Sequence, residues 1–354
     1  MFSARQIIAL ALALSSASAA CVPRGSSDSG SETTPTSAAT TTSSSSIASI
    51  LPVQAVSAPA SSAASTSSAA SAAVATGTSS SASSDGTKYF AVFGDSYSST
   101  GFYIEGGFPS ASNPLGSGGS TTTGGLNWVG MVTEQLNSSL VLTYDFAYYG
   151  ADISNTIINT GVTTDLIAQV GQFEANMVPA PTEAPWTADD LLVAVWIGIN
   201  DIGQCFWQSA SYTTCPIDEA LTKYFDLMQN LYDDGARNFV VNTVPPFYKA
   251  PAFVDQSETS VNALISNLDS FNTKLATKLD SFKSSNTGVT AQTFNTTSYF
   301  WEVFNDPTSF GLDSDITAAN ADGTSAVWYD NYHPGQAIHT LVAKGFAAAL
   351  ADFF

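Results

Sequence analysis

Ser96 lies in the run V-F-G-D-S-Y, and Asp330 and His333 stand three residues apart in W-Y-D-N-Y-H-P-G near the C-terminus. The 354-residue chain has two histidines, His333 and His339, so any imidazole chemistry falls to one of them. A hydroxyl attacks an ester when a neighbouring base takes its proton, and the base works best when an acid fixes its tautomer. Ser96, His333 and Asp330 match those roles as nucleophile, base and orienting acid. One helical turn or a tight loop separates Asp330 from His333, a spacing that lets both side chains face the same side. His339, six residues further along a helical stretch, reads as structural. Taken singly, Asp95, Ser96 and Ser98 also read as a capped turn, and Asn200 and Asp201 as turn formers.

Other chemistries find little support. With two histidines, and only Cys205 and Cys215 near another candidate block, the ligand set for zinc is poor, and no metal is expected. The glycines between 116 and 125 follow no strand and lack a nearby lysine, so no phosphate fingerprint and no cofactor is expected. Thirty acidic against ten basic residues give a net charge of -20, which argues against nucleic acid or an anionic membrane as a partner. The charge suits solubility in an acidic extracellular medium.

These residues need a scaffold. The almost wholly apolar run K-Y-F-A-V-F ending at Gly94 predicts a buried central strand of a parallel sheet. Residues 191–197 and 238–244 repeat the pattern. Helices are expected over 126–136, 166–174, 217–233, 257–281 and 335–353. The alternation predicts a three-layer α/β/α sandwich with a central parallel sheet in flavodoxin-like strand order. Ser96 and the G-I-N-D run of Asn200 then fall at the carboxyl ends of strands, where such sheets bind ligands. The Gly-, Ser- and Pro-rich stretch over 101–125 is a long loop suited to shaping a cleft, with Phe102, Tyr103, Phe108, Phe206 and Trp207 as candidate linings.

The ends differ from this middle. Residues 1–20 read as a secretory signal peptide: a short apolar run followed by small residues, with cleavage expected near Ala19 or Ala20. Residues 21–86 are mostly Ser, Thr and Ala, and are expected to be a disordered, O-glycosylated segment. The folded domain is expected over 87–354. Within it Asn137 and Asn295 head N-glycosylation sequons, expected on the surface. Cys205 and Cys215 close a short loop and are expected to form a disulfide, a closure that stabilises by about 3 kcal/mol in the chain-entropy model. Cys21 is left over beside the cleavage point.

No G-x-S-x-G nucleophile elbow is present. Four blocks occur instead: F-G-D-S-Y-S-S-T-G from Phe93, A-Y-Y-G-A-D from Ala147, W-I-G-I-N-D-I-G from Trp196 and D-N-Y-H from Asp330. In these blocks, and in their order, the chain resembles the GDSL esterases and lipases, more broadly the SGNH hydrolases. The resemblance implies that Ser96 is the nucleophile, His333 the base and Asp330 its orienting acid. It further implies an oxyanion hole made by the Ser96 and Gly150 backbone N–H groups and the Asn200 side-chain amide. G-D-S-L is G-D-S-Y here, a departure expected to alter only packing beside the nucleophile.

The stretches S-N-P-L-G from Ser112, N-W-V from Asn127, L-T-Y-D-F-A-Y-Y-G-A from Leu142 and A-P-W-T-A-D-D from Ala184 are similar to secreted fungal acetylesterases of carbohydrate esterase family sixteen. That likeness implies removal of acetyl groups from plant cell-wall sugars, especially acetylated xylo-oligosaccharides. Separately, the chain is expected to act as a monomer outside the cell. A GDSL lipase or lysophospholipase is the alternative, and requires an elongated apolar groove beside Ser96. A catalytically silent glycan-binding protein is a third reading, but binding alone does not require Ser96, Asp330, His333 and Asn200 together.

Overall fold

The computed structural model describes residues 86–354; the expected leader and, but for Gly86, the Ser/Thr/Ala-rich segment fall outside the described residues. Five strands form one sheet: β1 (Lys88–Gly94), β2 (Val141–Asp145), β3 (Leu191–Trp196), β4 (Asn238–Asn242) and β5 (Thr290–Phe294). Their order is β2-β1-β3-β4-β5 and every neighbouring pair is parallel. This is the flavodoxin-like order, whose switch point lies between β1 and β3. Ser96 follows β1 and Asn200 follows β3, so both leave the sheet at that crevice.

The helices are α1 (Trp128–Gln135), α2 (Leu166–Met177), α3 (Ile199–Trp207), α4 (Ile217–Asp233), α5 (Glu258–Ser285), α6 (Thr297–Asn305) and α7 (Gln336–Ala349). Parallel strands need crossovers, and their right-handed sense puts α1 on the opposite face from α2, α4 and α5. The packing agrees: α7 lies against α1 and α6, whereas α4 lies against α2 and α5, and α3 against α5. Side chains alternate across β1 accordingly. Phe90 meets Trp128, Phe346 and Phe354 on the first face, while Phe93 stacks on Phe146 and meets Phe173 of α2 on the second.

Local sequence starts these helices. Asn127 caps α1 by accepting from the Gly130 N–H at 3.1 Å, Asp165 caps α2 through the Ala168 N–H at 3.0 Å, and Ser257 caps α5 through the Ser260 N–H at 3.2 Å. The Asn127 amide also donates to the carbonyls of Ser98 and Ser99, tying α1 to the turn after Ser96.

Four elements escaped the periodicity. β2 and β5 are the two edge strands; T-A-Q-T-F buries only Ala291 and Phe294, too little alternation to read as a strand. The G-I-N-D run reads as a turn, yet Gly198 takes a left-handed φ of 119° and Ile199 begins α3, whose Ile199, Ile202 and Cys205 recur every third residue on the buried side. The short helix α6 was likewise not anticipated.

Candidate active site

Gly94 ends β1 in a conformation that brings its Cα against the Trp196 carbonyl, and a Cβ there would overlap that oxygen. The side chain of Gln169 braces the position from α2: its Oε1 accepts from the Gly94 N–H at 2.9 Å and its Nε2 donates to the Gly94 carbonyl at 2.8 Å. Asp95 then closes a tight turn. Its carbonyl accepts from the N–H groups of Ser98 and Ser99, and its Oδ1 accepts from the Tyr97 N–H at 2.9 Å. The capped turn read from the sequence is therefore present, and it presents Ser96, whose relative exposure is only 8%.

Ser96 Oγ lies 2.8 Å from His333 Nε2. On the other side of the ring, Nδ1 stands 2.9 and 2.8 Å from the two oxygens of Asp330. With Nδ1–H donated to the carboxylate, Nε2 is left to accept the serine proton. Asp330 also shapes its own loop, its Oδ1 accepting from the N–H groups of Tyr332 and His333, both at 2.8 Å. Burial pulls the Asp330 pKa up, but the His333 hydrogen bond and charge, with those two N–H groups, outweigh it and hold the carboxyl below its ordinary value. Its side chain is 45% exposed and that of His333 18%, so the relay opens to solvent at the acid end.

The G-D-S-Y departure does more than alter packing. Tyr97 is fully buried between Trp196 and Phe300, and its hydroxyl donates to the Tyr332 carbonyl at 2.6 Å. It joins the Ser96 turn to the loop carrying His333, a role that the sequence did not reveal. Burial pushes the adjacent Asp95 carboxyl up to about 7, against the opposing pull of the Tyr97 N–H and of His333.

The third group of residues sits across the switch point. Gly150 has a left-handed φ of 76°. The Asn200 Nδ2 donates to the Ala151 carbonyl at 2.9 Å, which uses one amide hydrogen and leaves the second. Asp201 completes a clamp by accepting from the Ile153 N–H at 3.1 Å, so α3 grips the segment after Gly150 at two points. Among the described residues, the N–H groups of Ser96 and Gly150 donate to no protein acceptor. The site thus holds a nucleophile-and-base pair beside unspent donors, the combination that acyl transfer requires.

The loop aromatics separate into two kinds. Phe102 and Phe108 pack on Tyr144 and serve the core, whereas Tyr103 is exposed. Phe206 and Trp207 pack on Phe253. Cys205 and Cys215 form a disulfide with Cα atoms 5.5 Å apart. His339 is buried in α7, its Nδ1 accepting from the Trp128 N–H at 3.3 Å, and burial lowers its pKa to about 3. Asn295 is exposed, but the Asn137 amide is half-buried and donates to the carbonyls of Val132 and Thr133 at 2.9 and 2.7 Å.

Residues 90–346 match the model of the GDSL-like lipase/acylhydrolase family. The chain is 42% identical over 274 residues to an acetylesterase of Thermothelomyces thermophilus, an alignment covering 76% of this chain and 90% of that protein. It is 27% identical over 180 residues to an acetylesterase of Hypocrea jecorina, covering 44% and 48% of the two chains. Among solved structures, LAE5, an α/β hydrolase from a Lake Arreo metagenome, superposes with a TM-score of 0.47 at 13% identity, covering 75% of this chain and 96% of its own. Axe2, an acetylxylan esterase of Geobacillus stearothermophilus, gives 0.43 at 15% identity, covering 74% and 93%. The chain belongs to the GDSL-like lipase/acylhydrolase family. It is a carboxylic ester hydrolase.

Proposed function

We propose that this protein is a secreted serine esterase that removes acetyl groups from plant cell-wall carbohydrates, acetylated xylo-oligosaccharides in particular. The observation that carries the reading is the unbroken relay from Ser96 Oγ through His333 to Asp330, with contacts of 2.8 to 2.9 Å.

His333 Nε2 takes the Ser96 proton as Oγ bonds to the acyl carbon, and the carbonyl π pair moves onto oxygen. Each donor aimed at that oxygen, from Ser96, Gly150 and Asn200, is worth about 3 kcal/mol in the transition state. The intermediate collapses, the C–O bond to the sugar breaks, and His333 returns the proton to the departing alcohol. Water, deprotonated by the same ring, then releases acetate and restores Ser96. Asp330 stays ionised and holds the tautomer.

Likeness to named acetylesterases supports the acetyl group. Export is supported by the leader-like N-terminus and by the Cys205–Cys215 bridge, a bond that persists in oxidising surroundings. The test compares acetate release from acetylated xylo-oligosaccharides with fatty-acid release from a long-chain p-nitrophenyl ester and a lysophospholipid, with Ser96→Ala as control. Serine-dependent acetate release with slow long-chain turnover is expected. The reverse ratio replaces the carbohydrate by a lipid, and turnover that survives Ser96→Ala removes the mechanism.

A further inference from the structure

The proton that His333 carries must reach the leaving oxygen, so the alcohol of the substrate leaves on the His333 side of Ser96, away from the donors of Gly150 and Asn200. Beside the His333 ring the structure builds an aromatic wall. The Tyr332 ring lies 6.2 Å from the His333 ring, Phe253 lies 5.7 Å from Tyr332, and Trp207 stacks on Phe253 at 5.1 Å with 27° between planes. Phe253 is buried, Tyr332 and Trp207 are each partly open, and Val254, next in the chain to Phe253, is exposed.

The wall is fastened at each end. The Ala252 N–H donates to the Asn331 carbonyl at 3.0 Å, joining the turn that carries Phe253 to the loop between Asp330 and His333. Trp207 is the last residue of α3, and the Cys205–Cys215 disulfide holds the segment that follows it. Gly203 lets the wall close on α3: a Cβ at that position would come within 2.5 Å of the Tyr332 hydroxyl. An indole packed against both Phe253 and Phe206 is oriented before any ligand arrives, which lowers the entropy cost of binding. A sugar ring presents a C–H face suited to such a surface.

We infer that Trp207 is the platform for the leaving alcohol, so that a saccharide ring of the substrate lies against its indole on the His333 side of Ser96. This rests on the esterase reading above. The competing aromatic is Tyr148, exposed two residues before Gly150 and therefore on the oxyanion side.

The test uses the full chain and two acetates with the same acyl group: an acetylated xylo-oligosaccharide and methyl acetate, whose alcohol is too small to reach Trp207. Trp207→Ala is expected to raise KM for the saccharide about tenfold, the loss of roughly one stacking contact, with methyl acetate changed by less than about twofold. Trp207→Leu, which keeps volume on Phe253, decides the matter if the alanine variant does not fold, and Trp207→Tyr should restore most of the loss. Unchanged saccharide KM in the Ala and Leu variants, or the loss appearing in Tyr148→Ala instead, overturns the inference. If the wild type hydrolyses methyl acetate through Ser96 but releases nothing from the saccharide, the carbohydrate reading fails by itself. Benzyl acetate then takes the saccharide's place: a loss in the Trp207 variants confined to it supports the platform, and equal effects on both esters overturn it.

Discussion

Gln169 hydrogen-bonds both backbone groups of Gly94, although the two are 75 residues apart. A side-chain amide here does what a neighbouring strand would do, at the last residue of β1 before the turn that presents Ser96. The Gly94 carbonyl keeps a second partner in the Tyr148 N–H, but its own N–H has Gln169 alone. Gln169→Leu therefore orphans one buried donor and should cost about 2 kcal/mol by chemical denaturation. Because the turn loosens, kcat should fall as well; a variant that loses stability with full kcat would mean the turn is held by the Asp95 bonds alone.

Asp330→Asn keeps the shape of the loop but can present an amide to Nδ1 and stabilise the wrong tautomer. A fall in kcat of about 10⁴-fold is expected, with KM for the acetyl ester little changed. Thermal stability should move little, since the side-chain oxygen can still accept from Tyr332 and His333. Steady-state kinetics beside a melting curve separates these effects.

Stability should fall as pH rises from about 4 to 7. Burial raises Asp95 and Asp145 to about 7, and Asp152 to about 6, each against hydrogen bonds that pull it down. Asp201 is raised well above its ordinary value by burial and by its neighbour Asp152. A carboxyl whose folded pKa is raised binds more protons folded than unfolded, so its contribution is fully present below the unfolded pKa and is lost as pH climbs to the folded one. His339 works in the opposite sense, since burial keeps it neutral down to about pH 3, but the four carboxylates outnumber it. The depressed Asp330 acts only at the acid extreme, where protonation removes its contribution. Melting temperatures should be several degrees higher at pH 5 than at pH 8; a flat or rising profile across that range would show that these carboxyls ionise without cost.

The two sequons should behave differently. In a host that glycosylates exported proteins, Asn295 is expected to carry a glycan and Asn137 to be empty or sparsely occupied, because the Asn137 amide is committed to the carbonyls at the end of α1. Peptide mapping by mass spectrometry reads the occupancy directly. Asn137→Ala should cost about 1 kcal/mol through the lost cap bonds, whereas Asn295→Ala should be close to neutral.

Much of the architecture was legible in local pattern. Three of the five strands were readable because β1, β3 and β4 are buried on both faces and so are continuous apolar runs. The edge strands β2 and β5 were not: β5 is partly solvated, and β2, though buried, is a five-residue V-L-T-Y-D run with too few consecutive apolar residues to stand out. Helix α3 was hidden because Gly198, Asn200 and Asp201 at its start are of types that elsewhere form turns. Within the site, Ser96, His333, Asp330, Gly150 and Asn200 were nameable from four short blocks. Tyr97, Gln169 and Asp201 were not, because each acts on a partner far away in the chain.

The sequence by itself determined which residue types were available for chemistry and that Ser96 and Asn200 would stand at the ends of strands, because hydrophobic periodicity and turn chemistry are properties of neighbours along the chain. Only the tertiary structure decided that Ser96 and His333, 237 residues apart, would meet at 2.8 Å, that Tyr97 would bind the His333 loop, and that Trp207 would stack on Phe253. Those relationships depend on strand order, crossover hand and the closing of long loops, whose energies are shared across the whole core and leave no local mark in the order of residues.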